Sequence, residues 1–420
     1  MSSRNPYIMV LIFVIFFVIS LLTNIMGAII PEIIRSFSVS YGMAAMLPFA
    51  FFLAYGLMSI PGGVMVESWK EKRVILLSFL LGLAGALLFG VVPQYSIALP
   101  SLFLIGAGMA IIQVAAHPLL RVSGGEEHFA FNSVIGQLVF GLGGFVSPQI
   151  YKYAAEPAAN RDAIQTLLAT LVPDNLPWVS IYWVFAASCF LMLVLVMLSR
   201  FPKVELKEDE KIGSLDTHVG LLKRPMVWLY FLGIFFYVGS EQGTANWTSQ
   251  FLSTYHGFDP QTVGADAVSQ FWILMSFGCL LGLAALKLFD SRLVLVVFTA
   301  AAMVSLAAGL FGPADVARWA LPMVGFFASV MWSIIISLAL NSVSEHHGSF
   351  TGILCTAILG GAIIPVVVGS LGDAFGLRAG MCFLFVSFAY VLAIGLWAKP
   401  LINNATIGGK RKNEVGATVS

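Results

Sequence analysis

Phe201-Pro-Lys-Val-Glu-Leu-Lys-Glu-Asp-Glu-Lys-Ile-Gly-Ser-Leu-Asp-Thr-His-Val219 is the longest polar stretch near the midpoint of this 420-residue sequence. Outside it the chain is mostly apolar: 59% of residues are hydrophobic, 10% are charged and mean hydropathy is +0.92. No water-soluble domain of this length carries that balance. Hydropathy resolves twelve segments, each near the ~20 residues that a helix needs to cross a bilayer. They run 7–34, 41–66, 74–95, 97–120, 130–154, 178–200, 225–252, 264–288, 293–312, 317–343, 348–371 and 376–398. Six precede the polar stretch and six follow it. The segments are continuously apolar rather than alternating, which excludes barrel strands, and helices satisfy their own backbone in lipid. The expected fold is an all-α membrane protein with twelve transmembrane helices in two six-helix bundles. Expected boundaries are 1–201 for the first bundle, 202–223 for the inter-domain loop, 224–400 for the second bundle and 401–420 for a tail. Two parallel repeats of this kind hold their site at the shared interface near the midplane.

Threaded as a serpentine, the segments put all but five of the 22 Lys and Arg on one side, the exceptions being Arg35, Lys152, Arg161, Arg318 and Arg378. The positive-inside rule then places both termini in the cytoplasm of a multi-pass protein of the cell (inner) membrane. The first apolar run is too long for the core of a cleavable signal peptide, so the first helix is expected to be the anchor. Cys189, Cys279, Cys355 and Cys382 lie within apolar segments without CxxC spacing, and no disulfide or metal site is expected. The expected partners are the bilayer and a small solute, with no nucleic acid and a monomeric chain.

Glu241 is the one charged residue between Trp228 and Leu252. An acid at the centre of a membrane helix costs at least ~2.5 kcal/mol, so it is expected to face a cavity and bind something. In Tyr237-Val-Gly-Ser-Glu-Gln-Gly-Thr-Ala-Asn-Trp247, the residues Glu241, Gln242, Asn246 and Trp247 recur near helical spacing. Glu241 fits three roles: a buried acid satisfied by its neighbours, an acceptor for sugar hydroxyls, or a ligand for a small cation.

Gln113 and His117 share a face of the fourth segment, as sugar contacts or as interhelical hydrogen bonds worth ~0.6 kcal/mol on average. Asn24 in the first segment fits a packing residue and a ligand equally. In the fifth, Gln137 lies deep enough to reach a central cavity, whereas Asn132 falls near a helix end. A pyranose also needs an aromatic ring against its C–H face. Trp247, Trp272 and Trp332 lie within C-terminal segments, Trp332 at mid-helix; Trp69, Trp228 and Trp319 fit an interfacial belt.

Gly63-Val-Met-Val-Glu67-Ser-Trp-Lys70-Glu-Lys72-Arg73, after the second segment, resembles the loop signature Gly-x-x-x-Asp-x-x-Gly-Arg-Lys of the major facilitator superfamily, with Glu67 for Asp and Lys70 for the second Gly. A weaker counterpart follows the eighth segment at Gly282 to Arg292. Gln113-Val-Ala-Ala-His117-Pro118, Phe236-Tyr-Val-Gly-Ser-Glu241, and Met331-Trp332 with Ile358-Leu-Gly-Gly-Ala-Ile-Ile-Pro365 and Gly372-Asp373 are similar to the fucose permease branch, the sugar:cation symporters for fucose, glucose and galactose. The resemblance implies the major facilitator fold and a gating role for Glu67 and Arg73, and the candidate sugar contacts taken together are Asn24, Gln113, His117, Gln137, Glu241, Gln242, Asn246, Trp247, Trp272 and Trp332. The chain also departs from that branch. Gly27 stands where the fucose permease carries an aspartate, and Gln113 where it carries a glutamate.

The function so implied is secondary active uptake of a monosaccharide, a hexose such as glucose, galactose, mannose or fucose, through rocker-type alternating access. Cation coupling is expected at Glu241, with Na+ favoured over H+ because the first-helix acid is missing. No cofactor beyond the co-transported Na+ (or H+) is implied. The alternatives are a proton-coupled exporter of drugs or metabolites and an uncoupled sugar uniporter. An enzyme would need a nucleophile and base at matching depths, and the sequence offers no such arrangement.

Overall fold

The first apolar run forms two helices, α1 (Pro6–Thr23) and α2 (Met26–Phe37), which meet at Asn24 and Ile25. α2 continues through Pro31, whose missing N–H leaves the Gly27 carbonyl without its helical donor, and the break itself lies at Asn24 and Ile25. There the Ala28 N–H turns to Ile25 O at 3.0 Å, a three-residue step in place of a four-residue one. This is a computed structural model, and it describes residues 5–124, 129–156, 160–202, 215–343 and 347–398.

The chain continues as α3 (Tyr41–Trp69), α4 (Glu71–Val91), α5 (Tyr95–Gly124), α6 (Phe129–Ala154), the short α7 (Ala163–Thr170) and α8 (Ser180–Leu198). Beyond the midpoint come the short α9 (Leu215–Leu222), α10 (Pro225–His256), α11 (Ala265–Leu288) and α12 (Ser291–Phe311). The tenth span is α13 (Ala314–Ala328) with α14 (Met331–Leu340), and the eleventh is α15 (His347–Thr356) with α16 (Gly360–Phe375), before α17 (Leu377–Trp397). No strand occurs among the described residues.

Among the described residues eleven spans are long and apolar enough to cross a membrane. The twelfth is α10, whose 32 residues reach about 48 Å at ~1.5 Å per residue but carry the polar run from Ser240 to Gln250. The breaks inside spans one, ten and eleven, and the helices α7 and α9, have no hydropathy signal. At the break in span ten a hydroxyl competes for a backbone group, Ser329 Oγ donating to Phe326 O at 2.8 Å. Of the central polar stretch, 203–214 lie outside the described residues, and 215–222 are α9.

Buried apolar side chains fall into two clusters. One is drawn from Ile8 to Val196 with Ala265 and Ala362. The other is drawn from Leu221 to Ala398 with Ile30 and Ala45. Each bundle therefore has its own core, and a few small residues cross over.

Successive spans alternate in direction, so α1 begins and α17 ends on one face, called here the terminal side, and the opposite face is the far side. The bundles meet along α3 with α16, α6 with α11, and α2 with α10. The contacts that join them run from the far side to mid-depth. Tyr41 and Gly42 at the start of α3 bond Asp373, and a Cβ on Gly56, midway down α3, would lie 2.4 Å from Leu359 Cγ. On the second seam the contacts run from Lys152 and Asp266 inward to Gly141 and Ser276.

Candidate functional site

Pro225 opens α10 and Gly257, in the left-handed region at φ 69°, ends it. Much of the polarity within it is satisfied internally. Ser240 Oγ donates to Phe236 O at 2.8 Å, Thr244 Oγ1 to Ser240 O at 2.8 Å, and Thr248 Oγ1 to Thr244 O at 2.7 Å. Glu241 differs in that its partners are side chains. The Tyr237 hydroxyl donates to Oε2, and Gln242 Nε2 donates to Oε1 at 3.1 Å. Among the described residues no ion pair reaches this half-buried carboxylate. Trp332 of α14 stands against Tyr237, with ring centroids 6.3 Å apart and planes at 52°. Tyr237 thus joins the acid to an aromatic wall.

The depth of Glu241 follows from a tight contact between bundles. A Cβ on Gly27 would lie 2.2 Å from the carbonyl oxygen of Ala245 and 3.2 Å from Val268 Cγ2, so α2, α10 and α11 touch there. Asn24 lies three residues before Gly27, Glu241 four before Ala245, and Trp272 four beyond Val268 on a helix of opposite direction. At ~1.5 Å per residue, all three stand about 4.5–6 Å nearer the terminal side than the contact. They form one tier directly beneath it.

The first-bundle edge of this tier is built on Gly144. A Cβ there would lie 2.8 Å from Trp272 Cγ and 3.1 Å from Asn24 Nδ2, so α6 brings the two side chains to one place. Both are 3% exposed. Asn24 donates to Ser20 Oγ at 2.8 Å, which leaves its Oδ1 without a protein partner, and Trp272 Nε1 has none either. Leaving a buried donor or acceptor unmet costs ~1–3 kcal/mol, so a free acceptor and a free donor at one depth suit a hydroxyl-bearing molecule.

The other sequence candidates are distributed around this tier. Gln137 is exposed on α6, four residues before Gly141 and seven before Gly144, on the face whose far-side part packs on α11. That face is uncovered at Gln137. Gln113 is half-buried on α5, and the side chain of His117, one turn further on, lies outside the described residues. Gln242 is buried beside Gly361 of α16 and Phe52 of α3. Asn246 is buried with Nδ2 unpartnered. Trp247 is fully buried, donates from Nε1 to Pro365 O at 3.1 Å and meets the Tyr41 ring edge-on at 5.7 Å, so in this conformation it packs the far-side closure. At the α3–α4 turn Arg73 is exposed, and the side chain of Glu67 lies outside the described residues.

The far-side closure uses residues to which sequence reasoning assigned no site role, although Gly372-Asp373 belongs to a stretch similar to the fucose permease branch. Both oxygens of Asp373 accept backbone N–H groups of α3, Oδ1 from Tyr41 and Oδ2 from Gly42, each at 2.8 Å. On the second seam Asp266 Oδ1 takes Lys152 Nζ at 2.7 Å and Gln149 Nε2 at 2.9 Å, and Gln149 also reaches Ser269 Oγ at 3.0 Å. Between the seams Glu32, bonded to Arg35, accepts Gln261 Nε2 at 3.1 Å and the Tyr151 hydroxyl at 3.4 Å. Polar residues at span ends read as ordinary boundary residues until partners 100 or more positions away are known. Tyr237 could have been found, since it precedes Glu241 by one helical turn.

Two helical bundles, each with its own core, enclosing a polar tier at mid-depth, are the architecture of a membrane transport protein. The chain belongs to the Major Facilitator Superfamily, whose family model matches residues 12–364. It is 30% identical over 393 residues to a glucose/galactose transporter of Brucella abortus, covering 91% of this chain and 92% of that one. It is 25% identical over 380 residues to the L-fucose-proton symporter of Escherichia coli, covering 86% of each. Among solved structures it resembles the superfamily transporter FucP in its outward conformation, with TM-score 0.67 at 22% identity, covering 95% of this chain and 100% of that one. It also resembles a bacterial homolog of the human lysosomal transporter Spinster in an inward-facing, unoccupied conformation, with TM-score 0.76 at 16% identity, covering 94% and 98%. The sequence resemblance to the fucose permease branch therefore holds along most of the chain.

Proposed function

We propose that this protein is a secondary transporter that takes up a hexose, glucose or galactose first, by cation symport. The observation that carries the proposal is the tier of Asn24, Glu241 and Trp272, from three helices of both bundles, beneath a closed far side. Sugar hydroxyls both donate and accept, and the tier offers an unpartnered acceptor, an unpartnered donor and a carboxylate. Trp332 beside Tyr237 supplies a ring, and Gln137, Gln113, Gln242 and Asn246 are the further amide groups proposed to contact the sugar, with His117 as the imidazole candidate from the sequence. The choice of hexose rests on the Brucella relative, whose name specifies glucose and galactose.

The bundles 1–201 and 224–400 rock about this tier, joined by 202–223 and followed by the tail 401–420. The terminal side is the cytoplasm of a bacterial inner membrane, and the conformation described is open inward. The bonds of Asp373 and Asp266 across the far-side seams support that reading. In the opposite conformation Asp373 and Asp266 release their partners, and the α3–α4 turn with Glu67 and Arg73 closes the inner side.

Glu241 couples the cation. The proton has first place, because a lone carboxylate binds it without a cage of further ligands and because the E. coli relative is named a proton symporter. Sodium is the second reading, favoured by Gly27 and Gln113, which leave the proton-linked permease's other two acids absent. Uptake of labelled glucose and galactose by proteoliposomes, under an imposed proton gradient and separately under a sodium gradient, tests both. Accumulation driven by one gradient supports the proposal and names the ion; flux that only equilibrates the sugar contradicts symport.

A further inference from the structure

The connection between α6 and α8 contains a helix that the transport site does not use. In α7, Asp162 and Gln165 form a capping box: the Gln165 N–H donates to Asp162 Oδ1 at 2.8 Å, and the Asp162 N–H donates to Gln165 Oε1 at 2.6 Å. The same two side chains fasten the helix to the last turn of α6. The Tyr153 hydroxyl donates to Asp162 Oδ2 at 2.6 Å, and Gln165 Nε2 donates to Tyr153 O at 3.0 Å. The Gln165 backbone N–H, and then the Tyr153 hydroxyl, hold the Asp162 carboxyl below the usual range. At neutral pH the fastening is intact.

Among the described residues the other side of α7 is largely uncovered. Ile164 is 61% exposed, Leu167 60% and Leu171 41%, at spacing i, i+3, i+7, which is one stripe of a helix. Thr166 projects from the opposite side. We propose that α7 lies in the membrane surface on the far side, with Ile164, Leu167 and Leu171 seated at the boundary between acyl chains and headgroups. Three observations name the bilayer as the occupant. First, α7 joins Ala154 and Ser180, the ends of two membrane-spanning helices, so it sits at the rim of the hydrocarbon. Second, the two helices it joins expose apolar side chains of their own, among them Leu142 of α6 and Phe190 and Leu191 of α8, as lipid-facing spans do. Third, the neighbouring charges are mixed, Arg161 with Asp162 and Asp174, which suits the apolar boundary rather than an anionic headgroup. Amphipathic helices of this kind sink their apolar face about 5–10 Å.

The consequence concerns the far-side closure, because α6 also carries Gln149 and Lys152. A helix held in the bilayer surface and bolted to Tyr153 ties the tip of a gate helix to the membrane plane.

Spin-label accessibility tests the proposal without reference to any substrate. In a chain whose four cysteines are alanine, Leu167→Cys, Leu171→Cys and Thr166→Cys are labelled one at a time and reconstituted in phosphatidylcholine liposomes. Labels at 167 and 171 are expected to collide with oxygen more than with the water-soluble nickel chelate, and the label at 166 the reverse. Nickel access at 167 and 171 equal to that at 166 would overturn the proposal. Failure of sugar transport would leave this result unchanged.

Discussion

Asp373, in the last turn of α16, accepts the backbone N–H of Tyr41 at 2.8 Å from the opposite bundle. Its second oxygen takes Gly42 N–H, and Ser40 Oγ accepts Met43 N–H at 3.3 Å, so the free donors at the start of α3 are met within this conformation. Parting the bundles here would leave two of them to water. Asp373→Asn keeps one acceptor oxygen and loses the charge that favours a helix N-terminus, a change worth about 1 kcal/mol. Pulsed electron–electron distances between labels at Ser38 and Phe375 should then show a longer, far-side-open population about fivefold larger than in the parent chain. An unchanged distance distribution would show that the cap does not bias the two states.

Gly27 allows α2 to touch the backbone of α10, and no side chain fits there while the far side is closed. Gly27→Ala should destabilise the closed state by about 1–3 kcal/mol and slow transport roughly tenfold. The aspartate of the fucose permease at this position should do at least as much. The check is initial uptake rate at matched protein density, and a wild-type rate for Gly27→Ala would contradict the contact.

Two tryptophans should separate binding from stability. Trp272→Phe keeps the ring against Gly144 and removes an unpartnered N–H, so sugar-induced thermal stabilisation should fall while the midpoint of the unliganded protein stays put. Trp247→Phe removes the bond to Pro365 O and should lower that midpoint, at a cost of about 1 kcal/mol, with ligand-induced stabilisation retained. The opposite pairing of effects would exchange the two roles.

Tyr237 donates to Glu241, and Tyr237→Phe removes that bond with little change in shape. The sugar gradient reached under cation drive should fall several-fold, whereas exchange of labelled for unlabelled sugar, which needs no net cation movement, should persist. Equal losses in both assays would make Tyr237 a packing residue only.

The twelve spans were legible because a bilayer demands long apolar helices, and that demand is written locally. So was Glu241, whose cost in lipid marks it. Less legible was everything that depends on two distant segments meeting. Asp373 and Asp266 resemble ordinary charges at span ends, and their partners lie 331 or 332 and 114 or 117 positions away. Gly27 and Gly144 resemble packing glycines until the backbone and side chains they admit are known. Trp247 and Trp272 look alike in sequence, and only the bond to Pro365 O distinguishes the sealed indole from the unpartnered one. The break at Asn24 lies inside one continuous apolar run, so hydropathy averages it away.

The most direct measurement is sugar accumulation by proteoliposomes containing Glu241→Gln, set beside sugar counterflow in the same vesicles. Gln keeps the size and hydrogen-bonding ability of the side chain and removes the charge. The expected result is loss of cation-driven accumulation with counterflow preserved. Accumulation by Glu241→Gln at the parent level would contradict the assignment of coupling to this carboxylate.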